Sequence, residues 1–205
     1  MSHPAAVFFD LGNVLLPINL DLTYAAFASY THYFSADEIK YTTEQESLWL
    51  PYESGLISCA EFRSSICSRF QLECTDAEFD QAFSALLLDF PADVVSIIEE
   101  VKSNFPVYLL SNTSRIHSQL FLQNESLFSK FETIHLSYEM GLSKPDKRIY
   151  QQVMDANALH DKQIIFFDDN SFNVQSANEF GWDAVLIDPK QSFLQIRNHI
   201  SSYVN

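Results

Sequence analysis

Five short runs along the chain are apolar at successive positions rather than at alternate ones. They are Ala5 to Phe9 (AAVFF), Val107 to Leu110 (VYLL), Thr133 to Leu136 (TIHL), Gln163 to Phe167 (QIIFF) and Ala184 to Ile187 (AVLI). Runs of this kind suit strands covered on both faces. The stretches between them carry helical spacing and stop signals. Val94 to Asn104 (VVSIIEEVKSN) repeats its apolar residues at helical intervals. In Ser143 to Asn157 (SKPDKRIYQQVMDAN) Pro145 fits a first helical turn, so that Lys144 opens a helix. VQSANEFG runs out at Gly181, a C-terminal stop. Strands alternating with helices predict an α/β fold, a Rossmann-like parallel sheet with helices on both sides.

One segment departs from this rhythm. From about Ile18 to Phe90 there is no buried strand pattern, only amphipathic stretches such as SADEIKYTTEQESLW, CAEFRSSICSRF and DAEFDQAFSALLL. That is too long for a simple crossover or an unstructured loop. The expected organisation is an α/β core from residues 1–17 and 91–205, with a helical lobe over residues 18–90 inserted directly after the first strand. Pro17 and Pro91 mark its boundaries.

Composition narrows the function classes. An apolar fraction of 47% with 18 phenylalanines is enough for a packed core, which excludes disorder. A net charge of −15 argues against nucleic acid and against an acidic membrane surface, while leaving small anionic substrates open, since local donors or a divalent cation can reverse the sign within one pocket. The three cysteines, Cys59, Cys67 and Cys74, have no metal-ligand spacing and read as reduced thiols, with Cys59 and Cys67 sharing a helix face as ordinary packing. MSHPAAVFFDL lacks a basic region and carries Asp10 within its apolar stretch, so it is not expected to be a signal peptide. No run approaches the roughly 18 apolar residues of a membrane span. A cytoplasmic protein is expected.

In open parallel sheets ligands sit beyond the carboxyl ends of the strands, so the residues at those ends are the candidate chemistry. The first run ends on Asp10, the second on Ser111 and Asn112 (LLSNT), and the fourth on Asp168 and Asp169 (FFDDN); Lys144 lies in GLSKPDKRIY. Singly these residues are ordinary: Asp10 could cap a turn, Ser-Asn-Thr is good turn chemistry, Lys144 could be a solvated lysine and the Asp pair could cap a helix. Together they place a carboxylate, a hydroxyl with an amide, a cation and two more carboxylates on one rim. An Asp can attack phosphorus to form an aspartyl-phosphate. Clustered carboxylates call for a cation, and hard oxygen ligands suit Mg²⁺. Ser111 and Lys144 can hold phosphoryl oxygens.

In this order the segments FFDLGNV, LLSNT, GLSKPDKRIY and FFDDNSFN resemble the four motifs of the haloacid dehalogenase superfamily, and the helical insertion occupies the position of its cap. The phrasing DLGNV, LSNTSRIH and SKPDKRIYQ is similar to a subgroup of bacterial sugar-phosphate phosphatases that includes α-D-glucose-1-phosphate phosphatases. The resemblance implies Asp10 as nucleophile, Ser111, Asn112 and Lys144 as phosphate-holding residues, and Mg²⁺ on Asp10, the Gly12 carbonyl and Asp169. Asp168 would be a supporting or water-linked ligand, Asn173 a group near the acidic pair, and Tyr52 to Phe62 (YESGLISCAEF) the cap stretch facing substrate. The implied substrate is a small phosphorylated metabolite.

Most phosphatases of that superfamily carry a second Asp two residues after the nucleophile, where this chain has Gly12. General acid–base help is worth about 10² to 10⁴ in rate, so good leaving groups such as a sugar 1-phosphate are favoured. Asn13 is nearest in sequence but is a poor acid. Gly12 also reads as permitting a tight backbone turn. Two competing readings remain: a metal-independent 2-haloacid dehalogenase, and a catalytically weak phosphate-binding regulatory protein. Glu53, Trp49 and Phe62 are the candidates for selecting substrate from the lobe.

Overall fold

Every one of the five apolar runs becomes a strand in the computed structural model, which describes residues 4–204. The opening three residues of the stretch read as lacking a signal peptide lie outside them. The strands are β1 (Ala6–Phe9), β2 (Val107–Ser111), β3 (Thr133–Leu136), β4 (Ile164–Asp168) and β5 (Asp183–Leu186). All pair in parallel, in the spatial order β3-β2-β1-β4-β5. The chain thus builds outward from β1 in one direction and then returns to build in the other. The strand ends beside β1 form the crevice where such sheets bind ligands.

Between β1 and β2 come α1 (Leu20–Ala28), α2 (Ala36–Glu46), α3 (Leu50–Glu53), α4 (Cys59–Phe70), α5 (Asp76–Ser84) and α6 (Val94–Lys102). The rest of the chain adds α7 (Arg115–Phe121), α8 (Glu125–Phe128), α9 (Ser137–Met140), α10 (Lys147–Ala156), α11 (Ser171–Phe180) and α12 (Ser192–Val204). Successive strand residues serve opposite faces. Val7, Phe9, Ile165 and Phe167 pack against α6, α8 and α12, while Ala6, Phe8, Ile164 and Phe166 pack against α10 and α11. This two-sided burial is why the runs are continuously apolar.

Helices α1 to α5 have an apolar core of their own, built from Tyr24, Phe27, Ile39, Tyr52, Phe62, Ile66, Phe70, Phe79 and Phe83, joined by Ile116 from α7. Their starts are written locally: Ser35, Ser58 and Thr75 each form a capping box with the Glu three residues on. The three cysteines are free thiols packed against this core. Cys59 and Cys67 both sit on α4.

Two local expectations are corrected. Helix α10 begins at Lys147, with Asp146 as its N-cap accepting from the Arg148 amide, so Pro145 precedes the helix and follows a cis bond from Lys144. Lys144 therefore lies in a loop. At the other position, Gly12 has no left-handed backbone; the residue that turns the chain is Asn13, at φ 56°. No helix among the described residues is long and apolar enough to cross a membrane.

Candidate active site

Strand β1 delivers Asp10, whose amide donates to the Phe167 carbonyl on β4 at 2.8 Å. Buried Lys144 reaches under it. Its ammonium donates to Asp168 at 2.7 Å and to the Leu110 carbonyl at 2.9 Å, and pairs with Asp10 at 2.9 Å. An ammonium has three N–H donors, so each has a partner here. Burial works to lower the Lys144 pKa, but the two carboxylates outweigh it and hold it above its ordinary value. Burial pushes Asp10 up to about 7, against the pull of Lys144 and with the help of Asp168 and then Asp169. Asp169 is also raised, chiefly by burial.

Asp10, Asp168 and Asp169 offer carboxylate oxygens that all lie within 4.8 Å of one another. Their available oxygens differ. Asp168 is wholly enclosed and accepts from Lys144, from the Asn170 amide at 2.8 Å and from Asn173 at 3.1 Å to each oxygen. It anchors Lys144 and leaves little lone-pair capacity for a direct metal bond. Asp169 is steered by Asn13, whose amide nitrogen donates to it at 2.9 Å and whose carbonyl oxygen accepts from the Ile18 amide at 3.2 Å. The backbone bonds of the Leu11–Leu16 turn are accepted by the Leu11 and Leu16 carbonyls, so none goes to the Gly12 carbonyl. Three carboxylates against one ammonium leave an excess of negative charge in a buried pocket, a donor set that suits a hard divalent cation.

Asn112 lines the cavity beside Ser111, with its side chain committed to the Lys144 loop. Its side chain donates to the Lys144 carbonyl at 2.8 Å and accepts from the Lys144 amide at 2.9 Å, clamping the two loops together. Ser111, at the end of β2, is different. Its hydroxyl has no protein partner among the described residues, and it opens on a cavity of about 680 Å³. Gly12, Asn13, Thr113 and Asp169 form that cavity on the sheet side; Tyr24, Thr43, Trp49 and Glu53 form it on the side of the helical lobe.

Of the three lobe candidates, Trp49 and Glu53 reach the cavity and Phe62 does not. Phe62 is turned into the lobe's core, its ring stacked on Tyr52 at 4.3 Å. Within Tyr52 to Phe62 only Glu53 lines this cavity; residues 55–60 border a separate hollow with Arg63, Arg115 and Tyr138. The stretch is nevertheless fastened beside the site. The Tyr52 hydroxyl accepts from the Ile116 amide, Ser137 donates to the Glu53 carbonyl at 2.6 Å, and the Ser54 and Ser143 hydroxyls bond at 2.8 Å. Gly55 then passes so close to α9 that a Cβ would stand 2.1 Å from the Tyr138 carbonyl oxygen, and its φ is +67°. Gly55→Ala is therefore expected to cost more than about 1 kcal/mol, measurable as a lower midpoint in chemical denaturation.

Sequence reasoning missed the positioning roles of Asn13 and Ser137. Asn13 carried a signal, since asparagine is enriched where a non-glycine residue must take a left-handed backbone; Ser137 carried none.

The description "Haloacid dehalogenase-like hydrolase" belongs to the family that matches residues 7–187, and the chain belongs to that family. Among curated proteins it is 25% identical over 183 residues to a D-ribitol-5-phosphate phosphatase of Bacteroides thetaiotaomicron, covering 86% of this chain and 88% of that one. Among solved structures it is similar to an enzyme of the family from the same organism in complex with magnesium and inorganic phosphate. That match has a TM-score of 0.81 and 27% identity, over 91% of this chain and 95% of the other. A predicted family hydrolase from Porphyromonas gingivalis shares the fold, with a TM-score of 0.85 at 23% identity over 98% of each chain.

Proposed function

We propose that the protein is a Mg²⁺-dependent phosphomonoesterase that acts on a small, otherwise uncharged phosphate ester, such as a sugar or sugar-alcohol phosphate, through an aspartyl-phosphate on Asp10. The observation that carries this reading is the convergence of Asp10, Asp168 and Asp169 within 4.8 Å at the ends of the two neighbouring strands β1 and β4, beside the unpartnered Ser111 hydroxyl at the end of β2. The phosphatase relative and the magnesium–phosphate complex of another relative support it.

Each residue has a job in this reading. Asp10 supplies the attacking oxygen, and Lys144 holds it in place while countering the charge of Asp168 below. Ser111 donates to a phosphoryl oxygen. Asp10, Asp169 and the Gly12 carbonyl are the groups suited to hold Mg²⁺, with Asp168 behind them as support. When bound, the ion would screen the anionic nucleophile from the anionic phosphate. Asn112 and Asn13 keep the Lys144 loop and Asp169 in register.

The nature of the leaving group follows from the cavity. Its described lining carries Glu44, Glu53 and Asp169 but no lysine or arginine. His117 is held neutral there, its pKa lowered to about 4 by burial. A second phosphate or a carboxylate on the substrate would find no partner, whereas hydroxyls can bond to the Glu53 carboxyl. The helices of residues 18–90 act in this reading as a cap that closes over the substrate. The glucose-1-phosphate subgroup is one member of the class so defined.

Phosphate release from a panel of sugar and polyol phosphates, with Mg²⁺ or with EDTA, tests the proposal. Release is expected with Mg²⁺, lost in EDTA and restored by added metal; no release from any substrate would overturn it. Binding has its own readout. At a Mg²⁺ concentration of about 100 Kd the folded protein should gain about 2.7 kcal/mol, seen as a higher Tm, and Asp169→Asn should abolish that gain.

A further inference from the structure

Gly12 leaves the proposed reaction without a proton donor at the usual place, and the groups below the substrate cannot easily fill it. Lys144 has all three N–H groups engaged, Asp168 is enclosed, and Asp169 is held by Asn13. His117 reaches the cavity, but its Nε2 lies 3.1 Å from the Phe83 carbonyl and its ring is stacked on Phe83. The backbone does not forbid an acid at position 12: a Cβ there would meet only the Ile18 Cδ1, at an ordinary 3.4 Å. The proton-transfer group has therefore to be sought elsewhere in the wall.

Glu53 meets the requirement. It is the last residue of α3, it lines the cavity together with Gly12, Ser111 and Asp169, and its carboxyl has no hydrogen-bond or ion-pair partner among the described residues. Its backbone is not free to drift, because Ser137 holds its carbonyl, Ser54 is bonded to Ser143 next to Lys144, and Gly55 is packed on Tyr138. These links fix the Glu53 backbone against α9 and the loop that carries Lys144, on the wall of the cavity that Ser111 also lines.

We propose that Glu53 is the catalytic acid and base of this site, protonating the leaving-group oxygen and then activating water. The proposal rests on the phosphomonoesterase reading. In the first step an Asp10 oxygen bonds to phosphorus, the bond from phosphorus to the ester oxygen breaks with its electron pair on that oxygen, and the Glu53 proton completes the alcohol. In the second step the Glu53 carboxylate takes a proton from water as the water oxygen bonds to phosphorus; the Asp10–phosphorus bond breaks, freeing inorganic phosphate and restoring both carboxyls. Burial pushes the Glu53 carboxyl up to about 7, where one group can serve in both directions near neutral pH. The other titratable groups around the cavity are Tyr24 on α1, Glu44 on α2, His117 on α7 and Asp169 after β4, with Asp10 and Lys144 beneath.

Kinetics on two leaving groups test the assignment. Glu53→Gln should lower kcat/KM for an alkyl phosphate such as glycerol phosphate by about 10²-fold or more, and for p-nitrophenyl phosphate, which needs no protonation, by less than about 3-fold. With p-nitrophenyl phosphate the variant should show a burst of nitrophenol followed by slow turnover, since the second step has lost its base. A general acid is active when protonated, so the wild-type kcat/KM for the alkyl phosphate should fall as pH rises through about 7 relative to that for the nitrophenyl ester. That relative fall should vanish in Glu53→Gln and return in Glu53→Asp. Equal losses on both substrates, or a rise in KM alone with the relative fall intact, would overturn the assignment in favour of a residue that only holds substrate hydroxyls. A wild-type protein inactive on both esters would overturn the phosphomonoesterase reading together with it.

Discussion

Asp10→Asn should reduce phosphate release by roughly 10⁴-fold or more, the order seen when a nucleophile is removed from an otherwise intact site, while leaving the fold in place. The substitution is isosteric, and an amide oxygen can still accept from the Lys144 ammonium, now 2.9 Å from the carboxylate. Rapid-quench measurement with a radiolabelled ester would show no phosphoenzyme, and the melting temperature in the absence of metal should stay within a few degrees of wild type. Full activity in this variant would remove Asp10 from the reaction. The experiment also addresses the dehalogenase alternative, in which the same oxygen would attack carbon: halide release indifferent to EDTA would favour that chemistry.

Lys144→Met should cost stability as well as activity. The wild-type ammonium is wholly enclosed and joins Asp10 and Asp168, so its removal strands buried negative charge, an event that typically costs about 3–5 kcal/mol. The cost should depend on pH with a definite sign. Burial already holds the folded pKa of Asp10 above its unfolded value, to about 7, and without Lys144 that rise would be larger. The folded state of the variant then binds more protons than the unfolded state, so its stability should recover as pH is lowered from 8 towards 5. Urea titrations at the two pH values measure the effect. A variant as stable as wild type at pH 8 would mean that the three-way contact contributes nothing. Lys144→Arg should not rescue, because the enclosed space that fits an ammonium has no room for a planar guanidinium.

The strands were legible because a strand buried on both faces needs apolar residues at every position, a pattern that neither surface strands nor amphipathic helices share. Asp10, Ser111 and the Asp168–Asp169 pair are legible as neighbours because each stands at the end of one of three adjacent strands, β1, β2 and β4, and the structure brings them to one rim. Partners were less legible. Asn112 sits at a strand end, but its amide also spans 32 residues of sequence to clamp the Lys144 peptide, a pairing no local pattern encodes. Phe62 and Glu53 looked alike as lobe residues near the site. The rotation of α4 buries one against Tyr52, while the short α3 presents the other to the cavity, and only packing decides between them. Pro145 suits a first turn as a residue type, but the Asp146 side chain supplies the cap, so α10 starts later than the residue pattern suggests.

The position of β1 has a consequence for how the chain is made. Its strand is the centre of the sheet, but its nearest partner, β2, begins about a hundred residues later, and β4 later still. At about 5–20 residues per second, a ribosome would hold the strand that leads to Asp10 without a neighbour for roughly 5–20 s. During that interval the helices of residues 18–90, whose contacts are mostly local, can assemble around their own phenylalanine core. The lobe would then stand ready before the sheet exists, and Phe8 and Phe9 would be exposed on the nascent chain until Val107 emerges to pair with Val7.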